Sequence, residues 1–179
     1  MRRLLKPIDY MDPHVIDYNL IEPGIRDLVR QMNEVPFVDT VSSCEGHVGD
    51  TIFKGASPDP GFTFINGGHI AFDANPSHVG SEGFMREVGE LAKSRSFSSF
   101  KDVEVGKERL HVVGFDTSPA GGHVSDLVRK QLIEDLDSNE VRLRKSLQVE
   151  RSAAMQRKEE YQQFWAEMET IARKYSKRK

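Results

Sequence analysis

The stretch FTFINGGHIAF, residues 62–72, carries the clearest fold signal in the chain. Bulky apolar residues alternate with other residues on both sides of Asn-Gly-Gly at positions 66–68. A period of two indicates strands with one buried face, and Asn-Gly between two such runs is typical of a β-hairpin. We therefore predict an antiparallel strand pair, in which His69 faces away from the apolar side because it alternates with Ile70.

The segments around this pair predict helices and further strands. In chain order we expect a helix from Pro23, a strand at 37–41, the hairpin, a helix carrying Phe84, Val88 and Leu91, a strand pair at 100–105 and 110–115, and helices at 124–136 and beyond 137. Clustered hairpins with helices between them predict an α+β fold, with a largely antiparallel sheet buried on one face under helices.

A long C-terminal helix is predicted because no Gly or Pro follows Gly122. Five apolar residues fall seven apart in this region, namely Leu147, Ala154, Tyr161, Met168 and Tyr175. This heptad seam indicates a helix that lies along the body or pairs with a second copy. We accordingly divide the chain into an α+β domain at 1–136 and a basic helical extension at 137–179.

The charge distribution separates these two parts. Residues 141–179 contain 11 Lys and Arg against 5 Asp and Glu, whereas residues 1–140 contain 14 against 23. A basic helix on an acidic body could contact RNA or another polyanion, or it could simply be solvated or docked on the body.

Composition excludes several classes of protein. The single cysteine cannot form an internal disulfide, which excludes a secreted disulfide scaffold. No stretch approaches the roughly 20 apolar residues of a membrane span, and charged residues interrupt the N-terminus before a signal-peptide core could form. We expect a cytoplasmic protein with no membrane partner.

The segment SSCEGH, residues 42–47, concentrates chemistry directly after the first predicted strand. Cys44 and His47 could form a thiolate–imidazolium pair, because a nearby cation favours the thiolate. Glu45 could act as a general base, and Gly46 lets the backbone turn sharply. The alternative is that Cys44 is a small buried residue and that its polar neighbours satisfy the turn.

A metal site is a second alternative for the same residues. Cys44 and His47 have a spacing that zinc sites use, although the sequence offers no second close ligand pair. His69 would approach His47 if the hairpin lay beside the first strand. The expectation is therefore a site without metal, with Cys44, His47 and His69 as the ligand set if a metal does bind.

Two parts of the chain resemble one known family. The helix after Ile25, the strand and TVSSCEGH at 40–47 resemble the N-terminal signature of the tRNA wybutosine-synthesising protein 3 family, which has Ser-Ser-Cys-Ser-Gly-Arg in that place. Leu-His-Val at 110–112 resembles the family's later Leu-His-Val strand. The resemblance implies an α+β fold and S-adenosylmethionine-dependent methylation of a modified guanosine in tRNA.

The match within the segment is partial. Ser42, Ser43, Cys44 and Gly46 occupy matching positions, whereas Glu45 and His47 stand where the family has Ser and Arg. Histidine cannot form the bidentate contact that arginine makes with phosphate or carboxylate, and the family's C-terminal motif has no counterpart here.

Two functional hypotheses follow. The first is a nucleotide- or tRNA-modifying enzyme with S-adenosylmethionine as cofactor. The second is a non-catalytic ligand- or metal-binding protein that forms homo-oligomers through its C-terminal helix. For the enzyme, the catalytic candidates are Cys44, Glu45 and His47, and the substrate- or cofactor-binding candidates are Ser42, Ser43, Gly46 and His69.

Overall fold

The computed structural model describes residues 16–50, 57–115 and 146–176. A 3-10 turn at Tyr18–Leu20 precedes α1 (Pro23–Asn33), and the other described helices are α2 (Ser81–Lys93) and α3 (Arg151–Ser176). The strands are β1 (Val38–Cys44), β2 (His47–Val48), β3 (Phe62–Asn66), β4 (His69–Ala74), β5 (Ser98–Val105), β6 (Glu108–Phe115) and β7 (Ser146–Glu150). The protein thus has the predicted α+β fold with a long C-terminal helix.

The strands form two antiparallel sheets. The larger sheet has the order β1-β4-β6-β5, and the smaller sheet has the order β2-β3-β7. The predicted pair at 100–105 and 110–115 is confirmed as β5 and β6, with Val105 opposite Glu108 beside the turn. Gly106 lies in that turn with φ of 66°, a left-handed conformation that favours glycine.

The predicted hairpin at 62–72 is wrong in its pairing. Both strands exist, but β3 pairs with β2 and β7, whereas β4 pairs with β1 and β6. The two strands belong to different sheets, and the Gly-Gly connection between them passes close to the backbone of Cys44 and Glu45, where β1 is followed by β2. Alternation therefore identified the strands but not their partners.

The larger sheet is buried on both faces, so the expectation of one buried face does not hold. On β4, Ile70 and Phe72 belong to the main core with the three helices, whereas Ala71 points to the opposite face. There it joins a second apolar cluster with Val41, Val103, Val105, Leu110 and Val112. His69 lies on this doubly buried strand and is only 3% exposed.

Helix α1 forms where the sequence predicts it. Pro23 occupies the first turn, where a missing N–H costs nothing. The residues buried by α1 recur at helical spacing and are Ile25, Leu28, Val29 and Met32. The helix ends at Asn33, before Pro36.

Helix α3 packs within its own chain. Tyr161, Met168 and Tyr175 of the heptad seam are buried in the main core, and the Tyr161 ring stacks on Phe115 with centroids 4.0 Å apart. Leu147 lies in β7, so the helix begins later than the seam suggests. The predicted helix at 124–136 and the boundary at 136/137 lie outside the described residues. Among the described residues, no helix combines the length and apolar character needed to cross a bilayer.

Candidate functional site

The SSCEGH segment carries the chain from one sheet to the other. Cys44 ends β1 in the larger sheet, and His47 begins β2 in the smaller sheet. Gly46 makes the turn between them with φ of 86°, as the sequence predicts. A Cβ at Gly46 would lie 2.9 Å from the Gly68 nitrogen, so this position requires glycine for both conformation and space.

Three ionisable side chains of different chemistry converge at this turn. The Cys44 Sγ lies 3.7 Å from the His47 Nε2, and a Glu22 carboxylate oxygen lies 2.8 Å from the same nitrogen. The potential ligand atoms of these residues all lie within 4.8 Å of one another. The side chains of His47 and Glu22 are 27% and 31% exposed, so solvent reaches the Glu22–Cys44–His47 cluster.

The cluster changes the titration of His47. Hydrogen bonds with Cys44 and then with Glu22 raise the pKa of His47 from 6.5 to about 10, although burial of the ring opposes the shift. The imidazole is therefore protonated at neutral pH in the protein without ligands, whereas an unperturbed histidine would titrate close to that pH.

Glu45 anchors the turn through its backbone and its side chain. The backbone N–H of Glu45 donates to the second Glu22 oxygen at 2.7 Å, and the Trp165 indole N–H donates to the Glu45 carbonyl at 3.0 Å. The Glu45 carboxylate in turn accepts the Gly24 N–H at 2.5 Å, where the dipole of α1 favours negative charge. The structure thus places this carboxylate at the start of α1 and not in the Cys44–His47 contact.

Ser42 and His69, two further residues expected at the site, form a separate contact. The Ser42 hydroxyl lies 3.0 Å from the His69 Nε2, and β1 and β4 are adjacent, with Cys44 opposite His69. Ser43 is half-buried on β1. The structure therefore brings Cys44 and His47 together, but the third member of their cluster is Glu22 and not His69.

Sequence reasoning missed Glu22. The local signal for it is an acidic residue directly before Pro23, at the cap position of a predicted helix. That signal predicts a carboxylate near the N-terminus of the helix. It does not predict the contact with His47, because this contact depends on how α1 packs against the end of β1.

A small cleft adjoins the turn. Its volume is about 50 Å³, and its walls are Gly24, Glu45, Gly46 and Val48 on one side and Lys158, Tyr161, Gln162 and Trp165 of α3 on the other. This space suits a few waters or a small ligand group, whereas sites that bury a drug-sized ligand have roughly 300–1,000 Å³. In this conformation, only part of a nucleotide-sized ligand could enter it.

The comparisons with known proteins give structural similarity at low sequence identity. No family model matches the chain, and no curated protein matches it. The chain is similar to the solved PH1069 protein from Pyrococcus horikoshii at 12% sequence identity and a TM-score of 0.39. The alignment covers 89% of this chain and 84% of that chain.

Proposed function

We propose that the protein is an enzyme that acts on a nucleotide-like substrate at the SSCEGH segment. The observation that carries this proposal is the Glu22–Cys44–His47 cluster, where a thiol, an imidazole and a carboxylate meet beside a cleft. The cleft is lined by Glu45, Gly46 and Val48, the chain neighbours of Cys44 and His47, and the strongly raised pKa of His47 beside it is typical of functional sites.

The resemblance to the tRNA wybutosine-synthesising protein 3 family supports the substrate class. The two segments of this chain that carry the resemblance include β1 and β6, and these strands lie on either side of β4 in the larger sheet. The resemblance implies a tRNA substrate and methyl transfer from S-adenosylmethionine. Lys158 adds a cation at the cleft, which favours an anionic ligand such as a phosphate group.

The proposed roles follow the contacts at the turn. Cys44 and His47 form the reactive part of the site, next to the reacting part of the substrate. Glu22 positions the imidazole through their 2.8 Å contact. Glu45 fixes the shape of the turn through its three hydrogen bonds, a positioning role that replaces the general-base role expected from sequence.

The test is calorimetry with S-adenosylmethionine and, separately, with an unmodified tRNA transcript. The variants are Cys44→Ser and His47→Gln, and Arg109→Ala is the matched control because Arg109 is exposed in the β5–β6 hairpin. We expect the parent and the control to bind equally. Each site variant should lose at least about tenfold in affinity, or roughly 1.4 kcal/mol.

Two results would overturn this proposal. One is no measurable heat with either probe at millimolar concentration, and the other is equal affinity in all four proteins. Circular dichroism and thermal melts establish that each variant is folded. Binding of the tRNA by the parent without any binding of S-adenosylmethionine would remove S-adenosylmethionine as cofactor while keeping the nucleic-acid substrate.

The second candidate is a non-catalytic metal- or ligand-binding protein. One observation favours it: both contacts of His47 in the cluster use the same ring nitrogen. Assembly through the C-terminal helix has less support, because Tyr161, Met168 and Tyr175 of the seam are buried within their own chain. Solution mass measured at two protein concentrations tests the oligomer directly.

A further inference from the structure

The geometry of the Glu22–Cys44–His47 cluster differs from that of a catalytic thiol. A nucleophile, its base and the orienting acid form a chain in which the imidazole uses one nitrogen for each neighbour. Here the Cys44 sulfur and the Glu22 oxygen both contact Nε2 of His47, at 3.7 Å and 2.8 Å. The three potential ligand atoms therefore lie within 4.8 Å of one another, close enough to surround one metal ion.

We infer that Glu22, Cys44 and His47 are the protein ligands of a zinc-class divalent cation. Sulfur, imidazole nitrogen and carboxylate oxygen bind Zn²⁺ at about 2.3, 2.0–2.1 and 2.0–2.2 Å, which puts ligand atoms of a tetrahedral site roughly 3.3–3.6 Å apart. The Sγ–Nε2 distance of 3.7 Å is close to this range. The Nε2–carboxylate distance of 2.8 Å needs to open by roughly half an ångström on binding.

The ligand chemistry selects the class of metal. A thiolate and an imidazole favour zinc and similar transition metals over Mg²⁺ and Ca²⁺, which prefer oxygen ligands. Three protein ligands leave one tetrahedral position for water or a substrate atom, which is typical of catalytic and not of structural zinc sites. This inference does not depend on the proposed nucleotide-like substrate, because it concerns metal binding by the protein without substrate.

The ligands are held by surrounding hydrogen bonds, as metal ligands usually are. The second oxygen of Glu22 accepts the Glu45 N–H at 2.7 Å, which leaves the first oxygen directed at His47. The Trp165 indole fixes the Glu45 carbonyl at 3.0 Å. The site combines the residue before α1, the end of β1 and the start of β2, so it exists only in the folded chain.

The test is titration of the metal-free full chain with Co²⁺, a spectroscopic substitute for Zn²⁺, followed by competition with Zn²⁺. We expect one equivalent to bind with a thiolate-to-cobalt charge-transfer band, which Zn²⁺ then abolishes. Cys44→Ser should lose that band. Glu22→Gln and His47→Gln should keep the band but lose more than the roughly 10–100-fold in affinity that removal of an outer-shell partner costs.

His78→Ala is the control, because the His78 ring packs against Phe37 and lies outside the cluster. It should bind Co²⁺ like the parent. Thermal melts with and without Zn²⁺ provide a second readout, since a ligand of the folded state raises the midpoint of the parent and the control but not of Cys44→Ser. The inference is overturned if the parent binds no metal at micromolar Co²⁺ or Zn²⁺, or if Cys44→Ser keeps the full charge-transfer band.

Discussion

Two histidine–carboxylate pairs in this molecule have nearly the same geometry but different origins. In the β5–β6 hairpin, His111 contacts Asp102 at 2.7 Å, and the two residues are direct partners in the strand register. At the turn, His47 contacts Glu22 at 2.8 Å, although no strand pairing joins these residues. The first contact follows from the hairpin alone, whereas the second requires α1, β1 and β2 to be in place.

The comparison shows what distinguishes a candidate site from a surface contact. Asp102 also pairs with Arg109, so the hairpin contact is one member of a charged network on paired strands. His47 has a thiol as its second neighbour, and the backbone of Glu45 holds its carboxylate partner. A histidine–carboxylate contact is thus not itself a sign of function. What distinguishes the turn is that a thiol and a carboxylate both contact one imidazole nitrogen.

The largest predicted difference between the two pairs is in their response to pH. The pKa of His47 is raised from 6.5 to about 10, so its contacts stabilise the metal-free fold fully below about pH 6.5 and lose this effect as the pH rises through about 10. The pKa of Asp102 is lowered although burial opposes this, because its bonds with Arg109 and His111 outweigh the burial. Its contribution is present above pH 3.8 and is lost as the pH falls below that value.

NMR titration of the His47 ring protons in the presence of a chelator measures this prediction. We expect a midpoint near pH 10 in the parent. Cys44→Ser should lower the midpoint most, because the Cys44 hydrogen bond is the largest cause of the shift, and Glu22→Gln should lower it less. Asp102→Asn should leave it unchanged. A parent midpoint near 6.5 would contradict the packing of the turn.

The next largest predicted effect is a loss of stability when a side chain is added at Gly68, which packs against the turn. A Cβ at Gly68 would lie 2.7–2.8 Å from the backbone atoms of Glu45 and Cys44. Gly68→Ala must therefore displace the turn, and we expect it to destabilise the fold by about 1–3 kcal/mol, as overpacking does. Gly49→Ala is the control, because a Cβ there meets no atom within 4 Å.

Urea denaturation compares these two glycine variants. The control should stay within about 0.5 kcal/mol of the parent. Gly68→Ala should also weaken Co²⁺ binding, because it moves the backbone of Cys44. Equal unfolding free energies for the two variants would show that Gly68 does not pack on the turn as described.

Substitution of Glu45 should have a smaller effect, and this effect should fall on the stability of the fold more than on substrate binding. Glu45→Ala removes the acceptor of the Gly24 N–H, and loss of such a capping contact costs about 0.5–2 kcal/mol. Glu45→Gln keeps an acceptor oxygen and should cost less. If Glu45 only positions the turn, Glu45→Gln retains substrate binding and activity. A complete loss of activity in a stable Glu45→Gln protein would restore the general-base role.

The sequence predicts the elements of this fold better than their arrangement. Pro23, the helical spacing from Ile25 to Met32 and the turn at Gly106 are local signals, and the corresponding helix and hairpin form as predicted. The choice of pairing partners for β3 and for β4 is not determined by local sequence. Their partners come from distant segments, β1, β2, β6 and β7, and hydrophobic alternation does not encode which segments these are.

The same distinction applies to the candidate site. Cys44, Gly46 and His47 lie within four residues, so the sequence predicts their proximity directly. Glu22 joins them only through tertiary packing. His69 illustrates the opposite error: it lies opposite Cys44 across β1 and β4, as a neighbouring strand would place it, yet its Nε2 contacts Ser42 and not the cluster. Strand adjacency alone did not determine which donor atoms meet.

The smallest predicted effect is the loss of stability on substitution of the exposed Arg109 in the β5–β6 hairpin. Arg109 is 68% exposed and, among the described residues, pairs with Asp102, so Arg109→Ala should cost about 0.2–1 kcal/mol. High salt should reduce this cost further, because exposed pairs are screened. Urea denaturation at two salt concentrations measures both quantities. A cost above about 2 kcal/mol would mean that the hairpin network supports the fold as strongly as the turn does, and the contrast between the two pairs would then be lost.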